Sequence, residues 1–335
     1  MKYVGMQTQI RRNNFYSMLL LLAFPVILLV TVWVFLFLIN WFNGGYYDAY
    51  GDFVHEVNYT EVNAYFLKAL PWVVGGVGVW FLIAYAFNSQ MIQSAVGARP
   101  LERRENPRVY NIVENLCIAN GMDMPKVNVV NDPQLNAFAS GINKSSYTVT
   151  VTTGLLDLLD DDELAGVIGH ELTHIRNRDT RLLITGIIFV GIISTLMSMI
   201  VRMLYYNLWF GGGSRRSSDK EGNNGAGMVI VLAVGLVCMA IAYQFSILTR
   251  FAISRRREYM ADAGGAEMCG NPRALASALR KISRDPGLDN VEREDVAQLF
   301  IMRPDEMKEG VMSLLSGLFS THPDPAKRIA ILEQF

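Results

Sequence analysis

Two histidines four residues apart, with a glutamate beside the first, stand in Gly169-His170-Glu171-Leu172-Thr173-His174. On a helix, positions i and i+4 share a face, so both imidazoles can reach one cation. Glu171 sits one position on, where it can touch a metal-bound water without binding the metal. That arrangement suits metal-assisted hydrolysis with Glu171 as general base. A catalytic zinc site takes three protein ligands and keeps one position open. Glu258, in Arg257-Glu258-Tyr259-Met260-Ala261-Asp262, is the candidate third ligand. Asp262 lies four residues further along the same face and could orient a liganding imidazole. An ExxxD pair alone carries little weight, because exposed helices hold many such pairs.

These residues need a scaffold. A helix is expected to start at Asp160, with Glu163 three residues later as a capping box, and to run through His174 towards Asp179. Glu102 to Gly121 has helical spacing, with Val109, Ile112, Val113 and Leu116 on one face. Lys126 to Asn131 and Tyr147 to Thr152 read as strands, with turns marked by Asp132-Pro133 and Gly141. The C-terminal segment reads as helical, broken at Asn271-Pro272, Asp285-Pro286, Pro323 and Pro325.

The chain has 335 residues, 51% of them hydrophobic, and a formal net charge of −1. That balance gives no basic surface for nucleic acid. Cys117, Cys238 and Cys269 have neither CxxC spacing nor an even count, so they suggest free thiols. The apolar residues gather in four stretches: Ser17 to Asn40, Ala69 to Phe87, Leu182 to Val201 and Met228 to Leu248. Each is about the ~20 residues that a spanning helix needs. The first is too long for a signal-peptide core and has no small-residue cleavage site after it, so it reads as a retained anchor.

Lys2, Arg11 and Arg12 precede the first span, and Asp48, Asp52, Glu56 and Glu61 fill the loop after it. The N-terminus and both soluble segments are therefore expected in the cytoplasm. His170 and Glu258 can share a metal only if an even number of spans separates them, and this reading gives two. The expected organisation is a two-span anchor over 1–88 with an acidic outer loop over 41–68. A catalytic half over 89–181 follows, then a membrane hairpin over 182–249 with a flexible loop over 211–227, and a second catalytic half over 251–335. Because Asp179 and Leu182 are three residues apart, the site is expected close to the inner membrane surface. Arg178 and Asp179 are read as a surface pair, and Arg255 to Arg257 as flanking the inner leaflet.

The whole chain resembles the HtpX family of membrane zinc metallopeptidases, in span count, span placement and three separate motifs. The resemblance implies a mainly α integral membrane protein with four transmembrane helices and an α+β cytoplasmic domain of gluzincin type containing a small β-sheet. It implies one zinc ion per chain held by His170, His174 and Glu258, with Glu171 as general base and Asp262 orienting a liganding histidine. Asn136, Ala137 and Phe138, in Asn136-Ala137-Phe138-Ala139, resemble an edge-strand segment that lines up the substrate backbone. His322 and Arg328, in His322-Pro323-Asp324-Pro325-Ala326-Lys327-Arg328, resemble a pair set near the scissile carbonyl.

The function so implied is a stress-response endopeptidase of the bacterial inner membrane. Its substrates would be damaged membrane proteins or polypeptides presented at the bilayer surface, and a homo-oligomer stays open. Two other readings compete: a prenyl-protein (CAAX) protease, whose known examples have more spans, and a membrane chaperone or scaffold with a vestigial site. An intact set of ligands and base argues against the last. An intramembrane protease is disfavoured because Asp160 to Glu163 and Arg176, Arg178 and Asp179 are too polar for a bilayer interior.

Overall fold

The computed structural model describes residues 6–210, 231–243, 256–283 and 324–335. In chain order the elements are α1 (Met6–Asn43), β1 (Tyr46–Tyr47), β2 (Phe53–Val54), α2 (Tyr59–Val96), β3 (Arg99–Pro100) and α3 (Pro107–Ala119). There follow β4 (Lys126–Val130), β5 (Ala137–Ser140), β6 (Thr148–Thr152), α4 (Thr153–Leu158), α5 (Asp161–Arg176) and α6 (Asp179–Phe210). The last are α7 (Val231–Tyr243), α8 (Arg256–Cys269), α9 (Pro272–Ile282) and α10 (Pro325–Leu332). Two units result. One comprises Met1–Met18, Ala84–Ile187 and Arg250–Phe335, and the other Leu19–Ile83 and Ile188–Thr249.

In the first unit a four-stranded sheet has the order β3-β4-β6-β5. β4 and β6 run parallel, while β3 and β5 are antiparallel to their neighbours. The β-branched run Thr148 to Thr152 is buried along its whole length, as a strand inside a covered sheet must be. β5 is an edge strand, and α5 packs against it. The core joins Val127, Val129, Val149 and Val151 of the sheet to Val109 and Val113 of α3. Leu164, Ile168 and Leu172 of α5 and Leu275 and Leu279 of α9 complete it.

Local signals explain most of the element ends. The expected capping box forms: Asp160 accepts the Glu163 N–H at 2.9 Å, and Glu163 accepts the Asp160 N–H at 3.1 Å. α3 starts later than its apolar spacing suggests, at Pro107 rather than Glu102. Proline disfavours helix in the residue before it but is well placed at the first helical position, and Asn106 caps it through the Val109 N–H at 3.2 Å. Asn271 and Asp324 likewise cap α9 and α10, each followed by proline. The metal helix does not run on to Asp179. It stops at Arg176, because Arg178 takes φ 60° and Asp179 begins a new helix.

Long apolar helices supply most of the other unit, and they continue in sequence into residues of the first. Leu22–Phe42, Tyr59–Val96 and Asp179–Met203 are each long and apolar enough to cross a membrane. The fourth expected span is represented among the described residues by α7 alone, 13 residues long. The rest of that stretch and the loop over 211–227 lie outside the described residues. Phe24 stacks on Phe189 at 4.1 Å between ring centroids, and Phe81 lies on the same ring at 5.7 Å. The short β1–β2 hairpin is closed at its base by Asn40, which accepts the Asn58 N–H at 2.8 Å.

Candidate metal centre

α5 is buried nearly all round, from Leu164 to Thr173 with only Ala165 partly open. Its first turn is tied to α9 by Glu163, which accepts from Ser277 Oγ at 2.7 Å and Lys281 Nζ at 2.6 Å. Further along, α5 meets α8 at glycines. A Cβ added to Gly265 would lie 2.7 Å from the His170 backbone nitrogen, and one on Gly264 would lie 2.5 Å from Thr173 Cγ2. Only glycine permits this approach, which brings the two halves of the site within reach of each other.

The three expected ligands converge. His170 Nε2 and His174 Nε2 are 3.1 Å apart, and Glu258 places Oε2 3.7 Å from the first and Oε1 3.7 Å from the second. Ligand atoms around a tetrahedral zinc with bonds of about 2.0–2.1 Å are about 3.3 Å apart. The donor set therefore has the right spacing. Its chemistry also fits. Asp262 Oδ1 lies 3.0 Å from His170 Nδ1, and Asp179 Oδ2 lies 2.9 Å from His174 Nδ1. A carboxylate holds the proton on Nδ1 and leaves a lone pair on Nε2, so two lone pairs face each other unless a cation or proton lies between them.

Charge points the same way. Burial pushes the His174 pKa down, but the hydrogen bond to Asp179 and the charges of Glu258, Asp179 and Glu171 outweigh it and raise it to about 9. The carboxylates Glu171, Asp179, Glu258 and Asp262 outnumber the guanidinium groups of Arg257 and Arg328 beside them. A cation held among them would offset that excess.

Glu171 is buried, and burial raises its pKa, with the Glu258 charge adding to the effect. The two imidazoles and the backbone N–H of Ala139, on β5, oppose the shift. Asn136 precedes β5 and is buried; its Oδ1 accepts the Ala137 N–H at 2.9 Å, and its backbone N–H donates to Thr152 Oγ1 at 3.0 Å. Ala137 and Phe138 are buried on the same strand.

Arg328, expected beside the scissile carbonyl, is wholly buried behind the ligands. It donates from Nε and Nη2 to Asp262 at 2.8 and 2.6 Å, and Nη1 lies 3.5 Å from Glu258 Oε2. The Coulombic pull of Asp262 raises its already high pKa against burial. His322 lies outside the described residues. One surface assignment needs correction. Asp179 is 1% exposed and pairs with His174, while Arg178 donates to Asn14 Oδ1 at 3.2 Å. Arg257 stands within Coulombic reach of Asp179 and Glu258, beside the ligand cluster.

Comparison with known proteins gives an independent line. The profile described as "Peptidase family M48" matches residues 103–335. A protease HtpX homolog of Bacteroides fragilis is 54% identical over 335 residues, covering all of both chains. Another from Dictyoglomus thermophilum is 40% identical over 277 residues, 82% of this chain and 84% of its own. A third, from Lactobacillus helveticus, is 36% identical over 275 residues, 81% of this chain and 89% of its own.

Proposed function

The chain belongs to peptidase family M48, within its HtpX proteases, and is a membrane-anchored metalloprotease; from that premise we propose how its residues divide the work. His170, His174 and Glu258 hold one zinc ion, and Glu171 is the general base. The convergence of those three ligands beside a buried Glu171 carries this reading. Zinc, when bound, supplies Lewis acidity towards water and the substrate carbonyl.

The protein's own residues do the rest. Glu171 takes the proton of the attacking water and returns it to the leaving amine. Its burial and the nearby Glu258 charge make it a stronger base than an exposed carboxylate. Asp262 holds His170 in one orientation, and Arg328 fixes Asp262 from behind, so Arg328 acts on the ligands as a positioning residue. β5, at the sheet edge against α5, offers its backbone for an extended substrate through the segment Asn136 to Phe138. His322 is assigned to the oxyanion on the resemblance alone.

The substrates we propose are membrane proteins, or polypeptides presented at the bilayer, in quality control at the cytoplasmic face of the bacterial inner membrane. Support comes from chain continuity: two residues link the metal helix to α6, a candidate span. Glu171→Gln is expected to keep full zinc while losing about 10²-fold or more of casein cleavage. Glu258→Ala is expected to lose zinc. Normal turnover in the first variant would remove Glu171 from the base role, and full zinc in the second would remove Glu258 as a ligand.

A further inference from the structure

His174 has its second ring nitrogen committed as firmly as the first. Nδ1 lies 2.9 Å from Asp179 Oδ2 while Nε2 faces His170 and Glu258. Asp179 is 1% exposed, so water does not compete for this contact.

Ordinary helix geometry would not produce the pair. Five residues along an unbroken α-helix is a rotation of about 140°, which would turn Asp179 away from His174. Instead α5 ends at Arg176, and Arg178 takes φ 60°, alone among the described non-glycine residues in having a positive φ. Side chains with a Cβ enter that region when their surroundings hold them there. Here Arg178 Nη1 is held on Asn14 Oδ1. The reversal places Asp179 at the head of α6 and back against the imidazole. Asp262 Oδ1 likewise lies close to the outer nitrogen of His170, 3.0 Å from Nδ1.

We propose that Asp179 is a positioning residue of the metal centre: it accepts the His174 Nδ1–H and so fixes the tautomer and ring orientation that aim Nε2 at the metal. This rests on the metal reading above and adds a residue to it. The competing role is a local one, in which an acidic residue in the first turn of α6 merely favours that helix end.

The full chain, purified in detergent, separates the two roles. Zinc affinity is measured by competition with a chromophoric chelator, and ligand geometry by the visible absorption of the cobalt(II)-substituted protein. Asp179→Ala is expected to bind zinc about 10- to 100-fold more weakly and to shift the cobalt bands. Asp179→Asn, which still offers an acceptor oxygen, is expected to fall between it and wild type. Wild-type affinity and an unchanged cobalt spectrum in Asp179→Ala, with only thermal stability lowered, would overturn the assignment. Should that variant not fold, Asp179→Asn decides alone: affinity and spectrum equal to wild type overturn the proposal, and a several-fold loss with shifted bands supports it. A wild-type chain that binds no zinc would instead remove the metal centre itself.

Discussion

Gly265 sets how near Glu258 can come to the two histidines, and Gly265→Ala tests this directly. The new Cβ would lie 2.7 Å from the His170 nitrogen and 2.9 Å from its Cα. Carbon contacts settle near 3.5 Å, so α5 and α8 must part by about 0.7 Å. Backbone atoms cannot swing aside as a flexible side chain would. The Glu258 oxygens, now 3.7 Å from each imidazole nitrogen, would then stand about 4.4 Å away. A zinc site tolerates about ±0.2 Å in its bonds, so one ligand is lost or strained.

Overpacking should also cost about 1–3 kcal/mol, or very roughly 2–12 °C in melting temperature for a unit of this size. The assays are chelator competition for zinc and thermal unfolding of the zinc-free and zinc-loaded protein. We expect at least a tenfold loss of zinc affinity. Gly75→Ala, whose Cβ meets nothing within 4 Å, should change neither quantity. A Gly265→Ala protein with wild-type zinc affinity and stability would refute the claim that helix contact sets the ligand spacing.

Other perturbations probe the supports of the site. Arg328→Leu leaves Asp262 buried without its partner and should destabilise the protein by about 3–5 kcal/mol in thermal unfolding. Arg328→Lys should recover only part of this, since an ammonium cannot reproduce the two-pronged contact. Arg178→Val should cost about 1–3 kcal/mol in the same assay because a β-branched residue resists φ 60°, whereas Arg178→Gly should not. Glu163 is buried, and burial raises its pKa, but bonds from Lys281, Ser277 and the Asp160 N–H outweigh this and hold it below its ordinary 4.5. Its contribution to stability is therefore present above about pH 4.5 and lost as pH falls through the lowered folded value. Glu163→Gln should flatten the acid side of a stability-against-pH curve measured by unfolding of the zinc-free protein.

Much of the site is local, and local features are legible. The capping box at Asp160 and Glu163 and the shared face of His170 and His174 need only helix geometry. The strand Thr148 to Thr152 needs only its β-branched run. Glu258 is readable as a candidate because the expected even number of spans between it and His170 lets both stand on one side of a bilayer. What stays hidden depends on distant or exceptional geometry. Arg328 and Asp262 are 66 residues apart, and nothing in either segment says that guanidinium and carboxylate will pair face to face. Gly264 and Gly265 look like helix weakeners until α5 is laid against them. Asp179 reads as a surface residue in the sequence because its contact with His174 exists only through the left-handed turn at Arg178. Its position at the head of an apolar stretch, five residues past a candidate ligand histidine, is the available clue.

The most direct test of the central claim is X-ray absorption at the zinc edge on the full chain in detergent. Four nitrogen or oxygen neighbours at about 2.0–2.1 Å, with the outer-shell scattering of two imidazoles that falls to one, or is lost with the metal, in both His170→Ala and His174→Ala, is the predicted result. A sulfur neighbour at about 2.3 Å, or an undiminished two-imidazole signature in either variant, would contradict it.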